Sequence, residues 1–160
     1  MLKKPYFIAI LILSLAALVL AACGGQPATD TAPAAPAEIN MAEHTNTITV
    51  PGGGTYTDVT PDGLAAMLEN KDFPLINVHI PYAGEIEGTD EFIPFNEIAA
   101  NVDKLPADKD AQIVIYCRSG GMSAQSAQDL VKMGYTNVWN LDGGMNGWAA
   151  SGRPLLQNGS

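Results

Sequence analysis

The sequence predicts an α/β domain, a mostly parallel central sheet with helices on both faces. Three observations lead there. Apolar or β-branched runs at residues 74–79, 112–116 and 137–141 alternate with helical patterns at 60–71, 96–105, 120–133 and 145–150. Two of those runs, PLINVH and QIVIY, are apolar almost throughout, as in strands buried on both faces. Roughly 110 residues carry the pattern, which is enough for one modest core.

Taken in order, Thr47, Ile48, Thr49 and Val50 form a short β-branched strand, ended by Pro51 and three glycines. Residues 56–59 add a second extended piece. Thr60-Pro61 is a helix start, threonine at the N-cap and proline at the first helical position. Leu64, Met67 and Leu68 make that helix's apolar stripe. After the strand at 74–79 comes a long irregular segment, 80–96, then a short helix whose Ile98 and Val102 are spaced to face inward. The strand at 112–116 leads straight into Cys117. The helix after it has Ala124, Ala127, Leu130 and Val131 at core spacing and stops at Gly134. A strand at 137–141, the turn Asp142-Gly143-Gly144 and a last short helix complete the domain. Trp139 and Trp148 read as packing residues.

Residues 1–22 precede all this with two lysines, an apolar stretch and a small-residue end, the three-part form of a secretory signal. A retained transmembrane anchor is the rival reading, but the apolar stretch, 6–22, is slightly short of the about 20 residues that span a bilayer comfortably. It ends Leu20-Ala21-Ala22-Cys23-Gly24, which resembles a bacterial lipobox; that resemblance implies cleavage before Cys23 and its lipidation. Residues 23–46 are rich in Ala, Pro and Thr and read as a flexible tether, with His44 a solvated residue at its end. The domain proper is expected over 47–157. The expected location is extracytoplasmic, held at the membrane by acyl chains, since two chains anchor where one is marginal.

Charge argues against two partner classes. The formal net charge of −9 becomes −11 once Lys3 and Lys4 leave with the signal, which disfavours nucleic acid and electrostatic docking on anionic lipid. The chain has 2 cysteines. With Cys23 acylated, Cys117 is a lone thiol in a compartment where cysteines usually pair, which marks it as reactive. Free cysteine is also often a small buried hydrophobe, so position has to decide.

Its position is at the carboxyl end of a buried strand, where open α/β sheets form their sites. Arg118, Ser119, Gly120, Gly121, Met122 and Ser123 follow, then a helix. Small residues let the backbone curl so that several N–H groups converge on one atom, and the helix adds the positive end of its dipole. Both favour a thiolate or persulfide, and Arg118 adds a fixed charge suited to an anionic sulfur donor.

The loop CRSGGMS is similar to the active-site loop of rhodanese domains, whose single-domain members commonly read C-R-S-G-x-R-S. Residues 138–148, VWNLDGGMNGW, resemble that family's closing strand, glycine turn and helix. Upstream, LINVH at 75–79 stands where the family carries a strand with an aspartate and a basic residue. The resemblance covers about residues 47–156. It implies a rhodanese-like fold and a sulfurtransferase, with Cys117 taking a sulfane sulfur from thiosulfate or a persulfide and passing it to cyanide or a thiol. It implies no metal and no organic cofactor. The chain departs from the pattern with Met122 for a second loop arginine, Asn77 for the aspartate and His79 for the basic residue. An acidic stretch at 81–94 replaces the usual segment there.

Other chemistries fit less well. A phosphatase of related loop needs an arginine six residues after the cysteine, where Ser123 stands, and so lacks its bidentate clamp. A disulfide oxidoreductase lacks a second protein cysteine to resolve a mixed disulfide. Glu85, Glu87, Asp90 and Glu91 have no EF-hand spacing and read as a solvated acidic loop. His79 reads as a packed strand-end residue with a minor role at the site left open. A membrane-anchored binding or sensing module of the same fold is the alternative to an enzyme.

Overall fold

The computed structural model describes residues 39–157. The leader at 1–22, Cys23 and the tether up to residue 38 lie outside the described residues. Helical and extended segments alternate along the chain as the apolar pattern requires. The strands are β1 Thr45–Thr49, β2 Thr55–Val59, β3 Leu75–Asn77, β4 Glu91–Phe92, β5 Ile113–Tyr116 and β6 Val138–Leu141. The helices are α1 Pro61–Leu68, α2 Gly121–Lys132 and α3 Gly144–Ala150, with 3-10 helices at Met41–Glu43 and Phe95–Lys104. One sheet runs β1-β2-β6-β5-β3-β4, antiparallel between β1 and β2 and parallel at every other pairing.

All four residues of β5 are buried, and they divide between two cores. Ile113 and Ile115 join Ile76, Val78 and Val138 beneath Ala127 and Leu130 of α2 and Ile98 of the 3-10 helix. Val114 and Tyr116 face the other way, toward Leu64 of α1 and Met145 and Trp148 of α3. Burying one such side chain fully contributes about 1.5–3 kcal/mol, so β5 anchors both layers at once. This places the end of β5 between the two cores.

Helix ends follow the residues that the sequence marks. Thr60 Oγ1 accepts the Gly63 N–H at 3.2 Å, with Pro61 in the first turn. At the end of α2, Gly134 takes φ +90°. The N–H groups of Gly134 and Tyr135 then return to the carbonyls of Val131 and Leu130, a Schellman stop.

Two expectations are corrected. The fold begins before Thr47: β1 opens at Thr45, and His44 Nδ1 lies 2.8 Å from Thr60 Oγ1, binding the incoming chain to the cap of α1. His44 is therefore half-buried and partnered, not a solvated tether residue. Val102 was expected to face inward with Ile98, yet it is 46% exposed. The segment is 3-10 rather than α, with a break at Asn101 (φ −116°, ψ 36°). At three residues per turn, i and i+3 share a face and i+4 falls off it.

Candidate active site

β5 delivers Cys117 to the carboxyl end of the sheet, on the face that carries α2. Its residue is only 1% exposed, so the thiol lies at the base of the loop that follows. Gly120 takes φ +95°, a left-handed conformation glycine adopts freely, and turns the chain into α2. The curl returns the Gly120 N–H to Cys117 Sγ at 3.1 Å. Ser123, on the first turn of α2, donates its hydroxyl to the same sulfur at 3.3 Å.

Burial alone would push the thiol up. The Ser123 hydroxyl and the backbone N–H groups of Ser123, Ser119 and Gly120 outweigh that and hold it below the ordinary thiol value. The N-terminal end of α2 acts in the same direction. The thiol's acidity thus rests on backbone donors and one hydroxyl.

A second helix holds the loop from behind. The N–H of Met145 donates to Cys117 O and that of Asn146 to Arg118 O, both at 2.9 Å. These are first-turn donors of α3, which have no partner within their own helix. Gly144 makes the approach possible. It sits at φ +55°, and a Cβ there would collide with Cys117 O and lie 2.9 Å and 3.0 Å from the carbonyl carbon and oxygen of Arg118. The sequence shows the glycine pair as a turn, but its use as a seat for the Cys117 loop emerges only in the fold.

The predicted residues divide between this cradle and its rim. Arg118 and Ser119 are exposed, Gly120 is half-buried, and Gly121 is exposed at the start of α2. Met122 packs, half-buried, against the core that includes Cys117. His79 lies near Arg118, because Asn77 is in register with Tyr116 and the Val78 N–H donates to Tyr116 O at 2.8 Å. Burial, with the Arg118 charge added, lowers the His79 pKa from its ordinary value and so favours the neutral ring. Asn77 is buried and makes neutral hydrogen bonds, but to the neighbouring loop rather than to the Cys117 loop. Its Nδ2 donates to Gly84 O and its Oδ1 accepts the His79 N–H, each at 3.0 Å.

That neighbouring loop, 78–90, is pinned by side chains. Tyr116 Oη accepts the Ile86 N–H at 3.0 Å and lies 2.6 Å from Thr89 Oγ1. Burial pushes the Tyr116 phenol up to about 12, so it keeps its proton at neutral pH. Asp90 is not simply solvated: its Oδ2 accepts the Leu75 N–H at 2.7 Å and meets Lys71 Nζ at 2.6 Å. Among the described residues no group of three or more His, Cys, Asp or Glu is placed to hold a metal, and no helix is long and apolar enough to cross a membrane. Trp148 is buried and donates to Pro154 O at 3.1 Å, while Trp139 donates to Asn137 Oδ1 at 2.7 Å; both pack.

The chain is similar to known proteins. A sulfurtransferase of Allochromatium vinosum is 41% identical over 64 residues, 40% of this chain and 58% of that protein's length. The thiosulfate sulfurtransferase GlpE of Glaesserella parasuis is 25% identical over 103 residues, 63% of this chain and 94% of that one. The crystal structure of a rhodanese-like domain protein from Staphylococcus aureus superposes with a TM-score of 0.53 at 25% identity, covering 62% of this chain and 98% of that one. Residues 60–151 match the family described as the rhodanese-like domain, and the chain belongs to that family.

Proposed function

We propose that this protein is a sulfurtransferase that carries a sulfane sulfur as a persulfide on Cys117. One observation carries the reading: a single thiol at the end of β5, held below its ordinary pKa by donors that converge on Sγ. The Cys117 thiolate attacks the sulfane sulfur of thiosulfate or of a persulfide. The donor's S–S bond breaks, and sulfite or a thiolate leaves with the electron pair. An acceptor thiol or cyanide then attacks the outer sulfur, and Cys117 departs as the thiolate. Because Cys117 is 1% exposed, the site suits a sulfur presented at the tip of a slim molecule.

Arg118, at the exposed rim, steers anionic donors toward the loop. Met122 stands where a second arginine is common, so the rim holds less charge and persulfide donors gain over thiosulfate. The sulfur travels outside the cytoplasmic membrane, where the lipidated Cys23 holds the domain, and no nucleic acid takes part.

The test is intact mass after incubation with thiosulfate or a low-molecular-weight persulfide. One added sulfur is expected on the wild type and none on Cys117→Ser. A wild type that gains no sulfur, or a Cys117→Ser protein that gains as much, would sink the enzyme. It would favour the second reading, a binding or sensing module, which Met122 supports by thinning the anion clamp. For the anchor, Cys23→Ala should move the protein from membrane to soluble fractions; continued membrane association would count against lipidation.

A further inference from the structure

The Ser123 hydroxyl has one proton and two acceptors within reach. Cys117 Sγ is 3.3 Å away and Gly120 O is 3.1 Å away. Ser123 is fully buried at 0% exposure, so the hydroxyl chooses between these two without a bulk-water competitor. Gly120 O already accepts the Ala124 N–H at 2.9 Å, and Sγ already accepts the Gly120 N–H. Neither acceptor is therefore left without a donor when the hydroxyl turns to the other. The hydroxyl can turn from one to the other by rotation about its C–O bond, without moving a heavy atom.

We propose that this hydroxyl follows the charge on Cys117 and serves the release of the carried sulfur more than its uptake. Ser123 is then a catalytic residue that touches the reacting sulfur. The inference rests on persulfide carriage by Cys117 and assigns a step within it. In the free enzyme Sγ is the anion and the stronger acceptor, so the hydroxyl bonds to it. Once the sulfur is loaded, Sγ is bonded to the outer sulfur and neutral, and the negative charge sits on that outer atom. The hydroxyl then turns to Gly120 O.

The two half-reactions use this bond in opposite senses. In uptake, the Sγ lone pair forms the new S–S bond, and the hydrogen bond that stabilised it is lost. In release, the acceptor bonds to the outer sulfur, the Sγ–S bond breaks and its electron pair returns to Sγ. The hydroxyl turns back as that charge appears and stabilises the leaving thiolate. A leaving thiol of lower pKa departs faster, whereas an attacking thiolate of lower pKa is the weaker nucleophile. Ser123 thus aids the second half-reaction at some expense to the first.

The test compares the wild-type full chain with Ser123→Ala, each half-reaction followed alone by rapid quench and intact mass. Uptake is measured from excess persulfide donor at a pH where alkylation shows both thiols ionised. Release is measured from the isolated persulfide form with cyanide as the acceptor. Loss of a hydrogen bond to a charged group is expected to slow release about tenfold, with uptake unchanged or faster. The pH profile of iodoacetamide alkylation should also move to higher pH. Release at the wild-type rate, uptake slowed as much as release, or an unmoved alkylation profile would each overturn the proposal. A wild type that never gains a sulfur would overturn persulfide carriage itself, and this inference with it.

Discussion

Two loops leave the same end of the sheet side by side, and they lean on side chains to different degrees. The Cys117 loop is short and rests on main-chain hydrogen bonds, from Gly120 in front and from Met145 and Asn146 behind. The 78–90 loop is longer; main-chain hydrogen bonds join Glu85 to Leu156 and Asp90 to Leu75, and side chains add to them: Asn77 on Gly84, Tyr116 on Ile86 and Thr89, Asp90 on Leu75. A cradle made of backbone needs particular residues only where a side chain would obstruct it. That is why Met122 can stand in the loop without removing the donors that reach Cys117 Sγ. A loop that leans on side-chain bonds is tied more closely to its own sequence.

The strongest way to break the first loop is to fill the space that backbone contact requires. Gly144→Ala puts a Cβ against the carbonyls of Cys117 and Arg118 and forces an L-residue to φ +55°. Left-handed backbone costs about 1–2 kcal/mol and overpacking about 1–3 kcal/mol more. Urea unfolding should therefore show a loss of about 2–5 kcal/mol, with sulfur uptake lost alongside it. Gly121→Ala is the control, since nothing lies within 4 Å of its Cβ and it opens α2. It is expected to be neutral or to gain up to about 1 kcal/mol. Equal effects at the two glycines would mean that α3 does not seat the loop.

The second loop should break through a single oxygen. Tyr116→Phe removes the acceptor of the buried Ile86 N–H and the partner of Thr89. A buried donor left without a partner costs about 1–3 kcal/mol. The expected result is a lower melting temperature and faster amide exchange at Ile86. Because Tyr116 faces the opposite core from Cys117, the alkylation profile of the thiol should hold its position. A shifted profile would show that the two loops are coupled after all.

The same contrast explains what the sequence made legible. β5, the Cys117 loop and α2 are local: a buried strand, a glycine curl and a helix start lie next to each other in the chain. Thr60 at its cap and Gly134 at its stop are local as well. Gly144 behind Cys117 and Tyr116 beneath Ile86 are partners at a distance, and periodicity carries no signal for either. Val102 misled because a 3.6-residue period was read onto a segment that turns every three. His44 misled because Ala, Pro and Thr around it looked like tether, whereas two hydrogen bonds with Thr60, one through its ring and one through its carbonyl, secure it to the fold.

The smallest expected effect sharpens the comparison within the longer loop. Asp90 Oδ2 serves two partners, the Leu75 N–H at 2.7 Å and Lys71 Nζ at 2.6 Å. The ion pair is open to water, with side-chain exposures of 22% for Lys71 and 43% for Asp90. Such pairs are screened and contribute about 0–1 kcal/mol, so Lys71→Met should cost less than about 1 kcal/mol and less still in high salt. The bond to Leu75 is different, because it fixes the start of β3 to the loop that returns beside it. Asp90→Ala should cost more than Lys71→Met, by about 1 kcal/mol, and that excess should persist in salt. A double-mutant cycle in urea separates the two. If the lysine proved to carry the larger share, the acidic loop would be held by charge rather than by backbone capture.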